Sequence, residues 1–157
     1  MRREVVRLAK GQEQVVRWKA LPGIGWIRAM TLFVYLDTPW RFKTKQALWK
    51  YMGIGLVREH SGEGWMRVRV EKGANRMLKG TILGAAESVI TRQGENGFYR
   101  QYVKWRANGL SFKNARRNVA RSLSAVMWGM WKNGGMYDES LVGCAAQVAC
   151  VAEGGGP

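Results

Sequence analysis

The chain has 157 residues, 46% of them hydrophobic and 11% aromatic, enough apolar matter for the core of one ordinary domain. It carries 26 Lys and Arg against 11 Asp and Glu, a net charge of +15. Such an excess favours a polyanion, most often nucleic acid, with a membrane surface as the rival. No apolar run approaches the length of a spanning helix, and the charged start Met1-Arg2-Arg3-Glu4 has no apolar region of a secretory signal.

In chain order, residues 4–19 read as a helix with Val5, Leu8, Val15 and Trp18 near one face; Gly11 interrupts it at a cost of about 1 kcal/mol. Leu21-Pro22-Gly23-Ile24-Gly25 then ends that helix and turns tightly. A second helix over Trp26–Tyr35 places Ile27, Met30 and Val34 on one stripe. Together these make a helix-hairpin-helix over about 12–36. Its glycines could let backbone N–H groups reach a phosphate; the alternative is a plain helical turn without a ligand. Thr38-Pro39-Trp40 breaks the second helix. A third follows, with Thr44 as N-cap, Gly53 just past its end, and Ala47, Leu48 and Tyr51 facing inward.

The stretch from Gly53 to Lys79 carries the chemistry. Ser61-Gly62 lies in a loop, followed by an alternating strand with Met66, Val68 and Val70 on one face and Arg67, Arg69 and Glu71 on the other. A small hydroxyl beside a glycine, backed by guanidiniums, suits attack on a phosphodiester. An ordinary loop is the other reading. A long helix over Asn75–Thr91 follows, with Leu78, Ile82, Ala85, Ala86 and Val89 as its stripe; Gly80 and Gly84 suggest close helix packing. Phe98, Tyr102 and Trp105 mark the next helix, ending near Asn108-Gly109. Ser111 caps a last long helix over about 112–132, with Phe112, Ala115, Val119, Leu123, Val126 and Met130 on its buried side, and Gly134-Gly135 stops it. Lys113, Arg116, Arg117 and Arg121 crowd its first half. They form either a solvated basic face or, since cations there oppose the helix dipole, a seat for DNA or RNA phosphates.

Of the eight tryptophans, Trp18, Trp49, Trp105, Trp128 and Trp131 fall at core spacings, and Trp65 beside the serine is the candidate for base stacking. No metal site is expected. The carboxylates are scattered, and the two cysteines, Cys144 and Cys150, fit no zinc pattern and suit a reduced cytoplasm. His60 adjoins Ser61, but loop neighbours usually point apart, which argues against a dyad. No Walker loop or dinucleotide fingerprint occurs. The residues alone therefore describe a mainly α fold, with the helix-hairpin-helix, further helices and a short strand or hairpin near 65–71.

A set of short motifs recurs in a specific order. They are Leu21-Pro22-Gly23-Ile24-Gly25, Arg41-Phe42-Lys43, Tyr51-Met52-Gly53, Gly55-Leu56, Ser61-Gly62, Lys72-Gly73-Ala74-Asn75-Arg76 and Ala85-Ala86. Tyr102, the run Asn114-Ala115-Arg116-Arg117-Asn118-Val119-Ala120-Arg121 and Tyr137-Asp138 complete it. Over about 15–139 this resembles the C-terminal transposase domain of the bridge-RNA-guided insertion-sequence transposases, relatives of the Piv DNA invertase. The resemblance implies a serine nucleophile, placed at Ser61, that joins covalently to a DNA end. It implies a partner domain of RuvC type, whose four acidic residues hold Mg2+ and which completes a composite site from another protomer. It also suggests backbone contacts at Gly23 and Gly25. Charge or polarity near the serine adds Arg67, Arg69, Asn75 and Arg76, and the last helix adds Arg116, Arg117 and Arg121, as DNA- or RNA-binding residues.

Two departures bear on this. Arg58 stands where the family commonly has proline and the loop is one residue shorter, which changes how Ser61 is posed. Leu78-Lys79 replaces Leu-Arg, keeping charge but losing the bidentate fork. The acidic domain is not among these residues. The chain is thus expected to be a fragment of a longer transposase, a truncated product, or a domain whose partner is encoded separately. It would need no cofactor of its own and would not act without that domain. The expected partners are DNA, a structured guide RNA, and another copy or a full-length transposase subunit, in a prokaryotic cytoplasm. The alternatives are an inactive DNA- or RNA-binding remnant and an interaction module. Residues 1–139 form the expected domain and 140–157 an expected disordered tail.

Overall fold

The computed structural model describes residues 1–60, 66–70, 75–92 and 94–142, with the backbone alone for 57–60, 66–70 and 141. Helices α1 (Arg2–Lys10), α2 (Glu13–Trp18), α3 (Trp26–Leu36), α4 (Lys45–Met52), α5 (Arg76–Thr91), α6 (Gly97–Ala107) and α7 (Phe112–Asn133) make up most of it. One antiparallel pair, β1 (Leu56–His60) and β2 (Met66–Val70), stands between α4 and α5.

The helices begin and end where side-chain chemistry directs. Thr44 Oγ1 accepts the Ala47 N–H at 3.2 Å, Asn96 Oδ1 the Tyr99 N–H at 3.1 Å and Ser111 Oγ the Asn114 N–H at 3.3 Å. Gly53 and Gly134 close α4 and α7 in the left-handed conformation. The expected first helix is two: the chain breaks at Gly11-Gln12, and Leu8 is half exposed rather than on a buried face. Gly11 is poor at continuing a helix, and its N–H turns back to the Leu8 carbonyl instead.

The core lies between α5 and α7, with α3 and α6 packed against them. All five expected residues of α5 are buried: Leu78, Ile82, Ala85, Ala86 and Val89. Helix α3 corrects the expectation. It buries Ala29, Leu32 and Leu36, and leaves Ile27 and Val34 in solvent. Its sequence is apolar nearly all round, so docking rather than periodicity chose the inner face. On α4, Ala47 is exposed and Tyr51 half-buried, while Leu48, Trp49 and Met52 are buried. Phe112 at the start of α7 is also exposed.

Tryptophans tie the helices together. Trp18 is fully buried, donates Nε1–H to the Met127 carbonyl at 3.0 Å, and meets Trp131 edge-on at 5.0 Å. Trp49 donates to the Arg121 carbonyl at 3.2 Å and to Ser124 Oγ at 3.1 Å. Trp128 donates to the Pro39 carbonyl at 2.8 Å.

Order extends into the expected tail. Glu139–Leu141 forms a 3-10 turn, and Val142 is buried against Gly97. Residues 143–157, including both cysteines, lie outside the described residues. In this corner the Tyr137 hydroxyl oxygen is buried without a hydrogen-bond partner among the described residues. Burial first, then the Glu139 carboxylate, push its pKa up to about 12. A raised phenol favours the folded state fully below the unfolded value near 10 and loses that contribution as pH climbs through about 12. Tyr137→Phe is accordingly expected to flatten the alkaline decline of the melting temperature between pH 10 and 12. An unchanged alkaline limb would show that Tyr137 does not report on folding.

Candidate nucleic-acid interface

The turn between α2 and α3 is built inward from two anchors. Leu21 and Ile24 are buried, so Pro22 and Gly23 must run against the core. Gly23 has φ +76 and sits under α5; a Cβ there would stand 2.4 Å from the Ala85 carbonyl oxygen and 2.9 Å from a Val89 methyl. Only glycine meets both the backbone angle and the space. The Gly23 carbonyl accepts a hydrogen bond from Arg28 Nη1 at 2.8 Å, and the same nitrogen donates to Ser88 Oγ at 2.9 Å. Ser88 in turn donates to the Gly84 carbonyl at 3.0 Å. Arg28 therefore clamps the turn to α5.

That clamp also corrects the reading of Gly80 and Gly84. Gly80 has open space around it, and the space at Gly84 is filled by the Arg28 guanidinium, 3.4 Å from where a Cβ would stand. The close helix-backbone approach occurs at Gly23 instead.

Gly25 behaves differently from Gly23. It is exposed, has φ −94, precedes α3 without a side-chain cap, and has nothing within 4 Å of a Cβ position. The first N–H groups of α3 are thus left to solvent or to a ligand. A groove of about 410 Å³ opens here, lined by Lys19, Gly23, Gly25, Arg28, Ser88 and Arg92 among others. Its cations and free amides can hold an anion. Sequence reasoning found the glycines but missed Arg28, Ser88 and Arg92. The available signal was Arg28 itself, the single charge in the otherwise apolar α3.

The remaining expected residues are dispersed. Asn75 caps α5, its Oδ1 accepting from Met77 N at 3.0 Å and Leu78 N at 3.3 Å, and Arg76 beside it is exposed. Arg67 and Arg69 lie on β2, opposite Glu59 and Val57 of β1 in the ladder. Ser61 and Trp65 fall outside the described residues; Ser61 follows directly on His60, the last residue of β1. On α7, Arg116 is ion-paired to Glu87 of α5 at 2.7 Å, and its Nε is buried without a partner among the described residues. Arg117 is half-buried. Arg121 is wired into the fold, donating from Nε to the Ile54 carbonyl at 2.7 Å and from Nη1 to Asn118 Oδ1. Glu87 and Ser88, neighbours on α5, therefore connect the α7 cations and the hairpin to one helix.

Among the described residues, no three His, Cys, Asp or Glu side chains stand together to hold a metal ion. Nor is any helix among them long and apolar enough to cross a membrane.

The chain matches the family model described as "Transposase IS116/IS110/IS902 family" over residues 17–102. The match begins in α2 and ends in α6. It takes in the hairpin, the Arg28 clamp, both strands and Ser61, and leaves out Arg116, Arg117 and Arg121. A relative from Streptomyces coelicolor, "Insertion element IS110 uncharacterized 43.6 kDa protein", is 25% identical over 122 residues, 78% of this chain. The chain spans 30% of that relative's length.

Proposed function

Because the chain belongs to the IS116/IS110/IS902 transposase family, we propose that it is a C-terminal-type domain that binds DNA and supplies the serine for strand exchange. Residues 1–139 carry this role. The observation behind it is the family match, which spans both Ser61 and the cation-lined hairpin groove. Ser61 is the nucleophile: an Oγ–phosphorus bond forms and the bond to one deoxyribose oxygen breaks. That oxygen leaves as a hydroxyl with the proton the serine gave up. Gly25 and the first amides of α3 hold a backbone phosphate, and Arg67, Arg69 and Arg76 supply charge near the serine. Mg2+ belongs to the acidic RuvC-type domain, contributed by a longer chain or a second subunit, and a structured guide RNA is a further partner.

Binding is tested through its salt dependence. Each phosphate contact removed lowers the slope of log affinity against log salt by about 0.9 on duplex DNA. Arg117→Ala is expected to remove one such contact. Arg116, held by Glu87, is expected to contribute less. A slope unmoved in the double variant Arg116→Ala/Arg117→Ala would show that α7 does not touch the backbone.

A second reading is a binding remnant that no longer cuts. It predicts the same salt slope and no covalent DNA adduct when the acidic domain is added.

A further inference from the structure

Trp40 differs from the other described tryptophans. It sits in the 3-10 turn Pro39–Arg41 between α3 and α4, and 70% of it is exposed. Trp18 and Trp49 are buried, and Trp26, Trp105, Trp128 and Trp131 are half-buried against the core. The indole N–H of Trp40 makes no hydrogen bond among the described residues, whereas those of Trp18, Trp49 and Trp128 are all spent on the fold.

The turn that presents Trp40 is anchored to the fold on both sides of the ring. Thr38 Oγ1 accepts the Trp40 N–H, Pro39 is buried, and its carbonyl accepts from Trp128 Nε1. The ring is therefore offered from a fixed support. Lys132 of α7 brings its Nζ to 4.2 Å from the Trp128 ring centre and 5.7 Å from that of Trp40. Lys132 forms no ion pair among the described residues. Arg41 and Lys43, both exposed, add to the positive field of this turn.

We propose that Trp40 is a stacking platform for an unpaired base of a DNA strand, with Lys132 holding the adjoining phosphate. An exposed, pre-positioned indole offers a flat apolar face that any base can cover, and the ammonium beside it supplies the countercharge a strand needs. A duplex hides its base faces and cannot use the ring. The site lies on a different element from the hairpin groove and rests on the proposed DNA-binding function. It extends that reading from duplex backbone to the single strand that any strand exchange exposes.

The test compares a labelled oligo-deoxythymidine strand, a duplex of equal length and an oligouridine strand at fixed salt. Trp40→Ala is expected to weaken the deoxythymidine complex roughly five- to a hundredfold and leave the duplex within about twofold. Lys132→Gln is expected to lower the single-strand salt slope by roughly 0.7, one phosphate, and does so whether or not the ring substitution perturbs folding. Equal loss on strand and duplex, no loss on either, or a Trp40 dependence confined to oligouridine overturns the assignment. Failure of the unsubstituted chain to bind any of the three probes overturns the DNA-binding function itself.

Discussion

Replacing Ser61 with alanine is expected to abolish strand transfer by this chain when it is combined with an acidic, metal-binding transposase domain. Activity should fall below roughly a thousandth of the unsubstituted level, the scale on which loss of a nucleophile acts. Alanine removes the only atom that can be esterified at that position and changes no charge. Duplex affinity and its salt slope should therefore stay within about twofold, because both are set by Lys and Arg contacts with phosphate. The direct measurement is a covalent protein–DNA adduct on a denaturing gel, present with serine and absent with alanine. Strand transfer that survives Ser61→Ala would remove the serine from the mechanism. An adduct that persists would place the nucleophile on another side chain. Loss of duplex affinity would mean that the substitution acts through the fold.

The second large effect is on stability, and it separates two glycines that look alike in sequence. Gly23→Ala places a methyl 2.4 Å from the Ala85 carbonyl oxygen, which is backbone and cannot swing aside, at a φ of +76. Overpacking costs about 1–3 kcal/mol and a left-handed angle about 1–2 kcal/mol, so a loss of roughly 2–5 kcal/mol is expected. For a domain of this size that is a fall of roughly 4–20 °C in melting temperature. Gly25→Ala meets nothing within 4 Å at φ −94 and is expected to melt within about 2 °C of the unsubstituted chain. If the hairpin also holds a phosphate, Gly25→Ala should weaken DNA binding with no thermal loss, because its methyl crowds the open groove. Equal melting temperatures for the two variants would show that the turn does not pack on α5 as described. Unchanged DNA affinity in Gly25→Ala would leave the hairpin with a structural task only.

The two glycines also show how far sequence reasoning reached. Both were legible as hairpin residues from Leu21-Pro22-Gly23-Ile24-Gly25, because proline and glycine act locally. Their division of labour was not, because Ala85 and Val89 are more than sixty residues away in the chain. The same holds for the α7 cations. Their crowding near a helix start was visible, but Glu87 beside Arg116 and the Ile54 carbonyl beside Arg121 were not. Arg28 and Trp40 were overlooked for the same reason: one is defined by what it clamps, the other by what fails to cover it.

What the sequence determined by itself is everything governed by near neighbours. The caps at Thr44 and Ser111, the stops at Gly53 and Gly134, and the buried stripe of α5 follow from side chains within a turn or two of one another. The weak point at Gly11 was visible too, and there the chain divides into two helices. What only the tertiary structure decided is which of several apolar faces turns inward, as on α3 and α4, and which cations are spent on the fold. An apolar helix has no preferred face until another surface meets it, and a guanidinium is neutral to its fate until a distant carbonyl or carboxylate arrives.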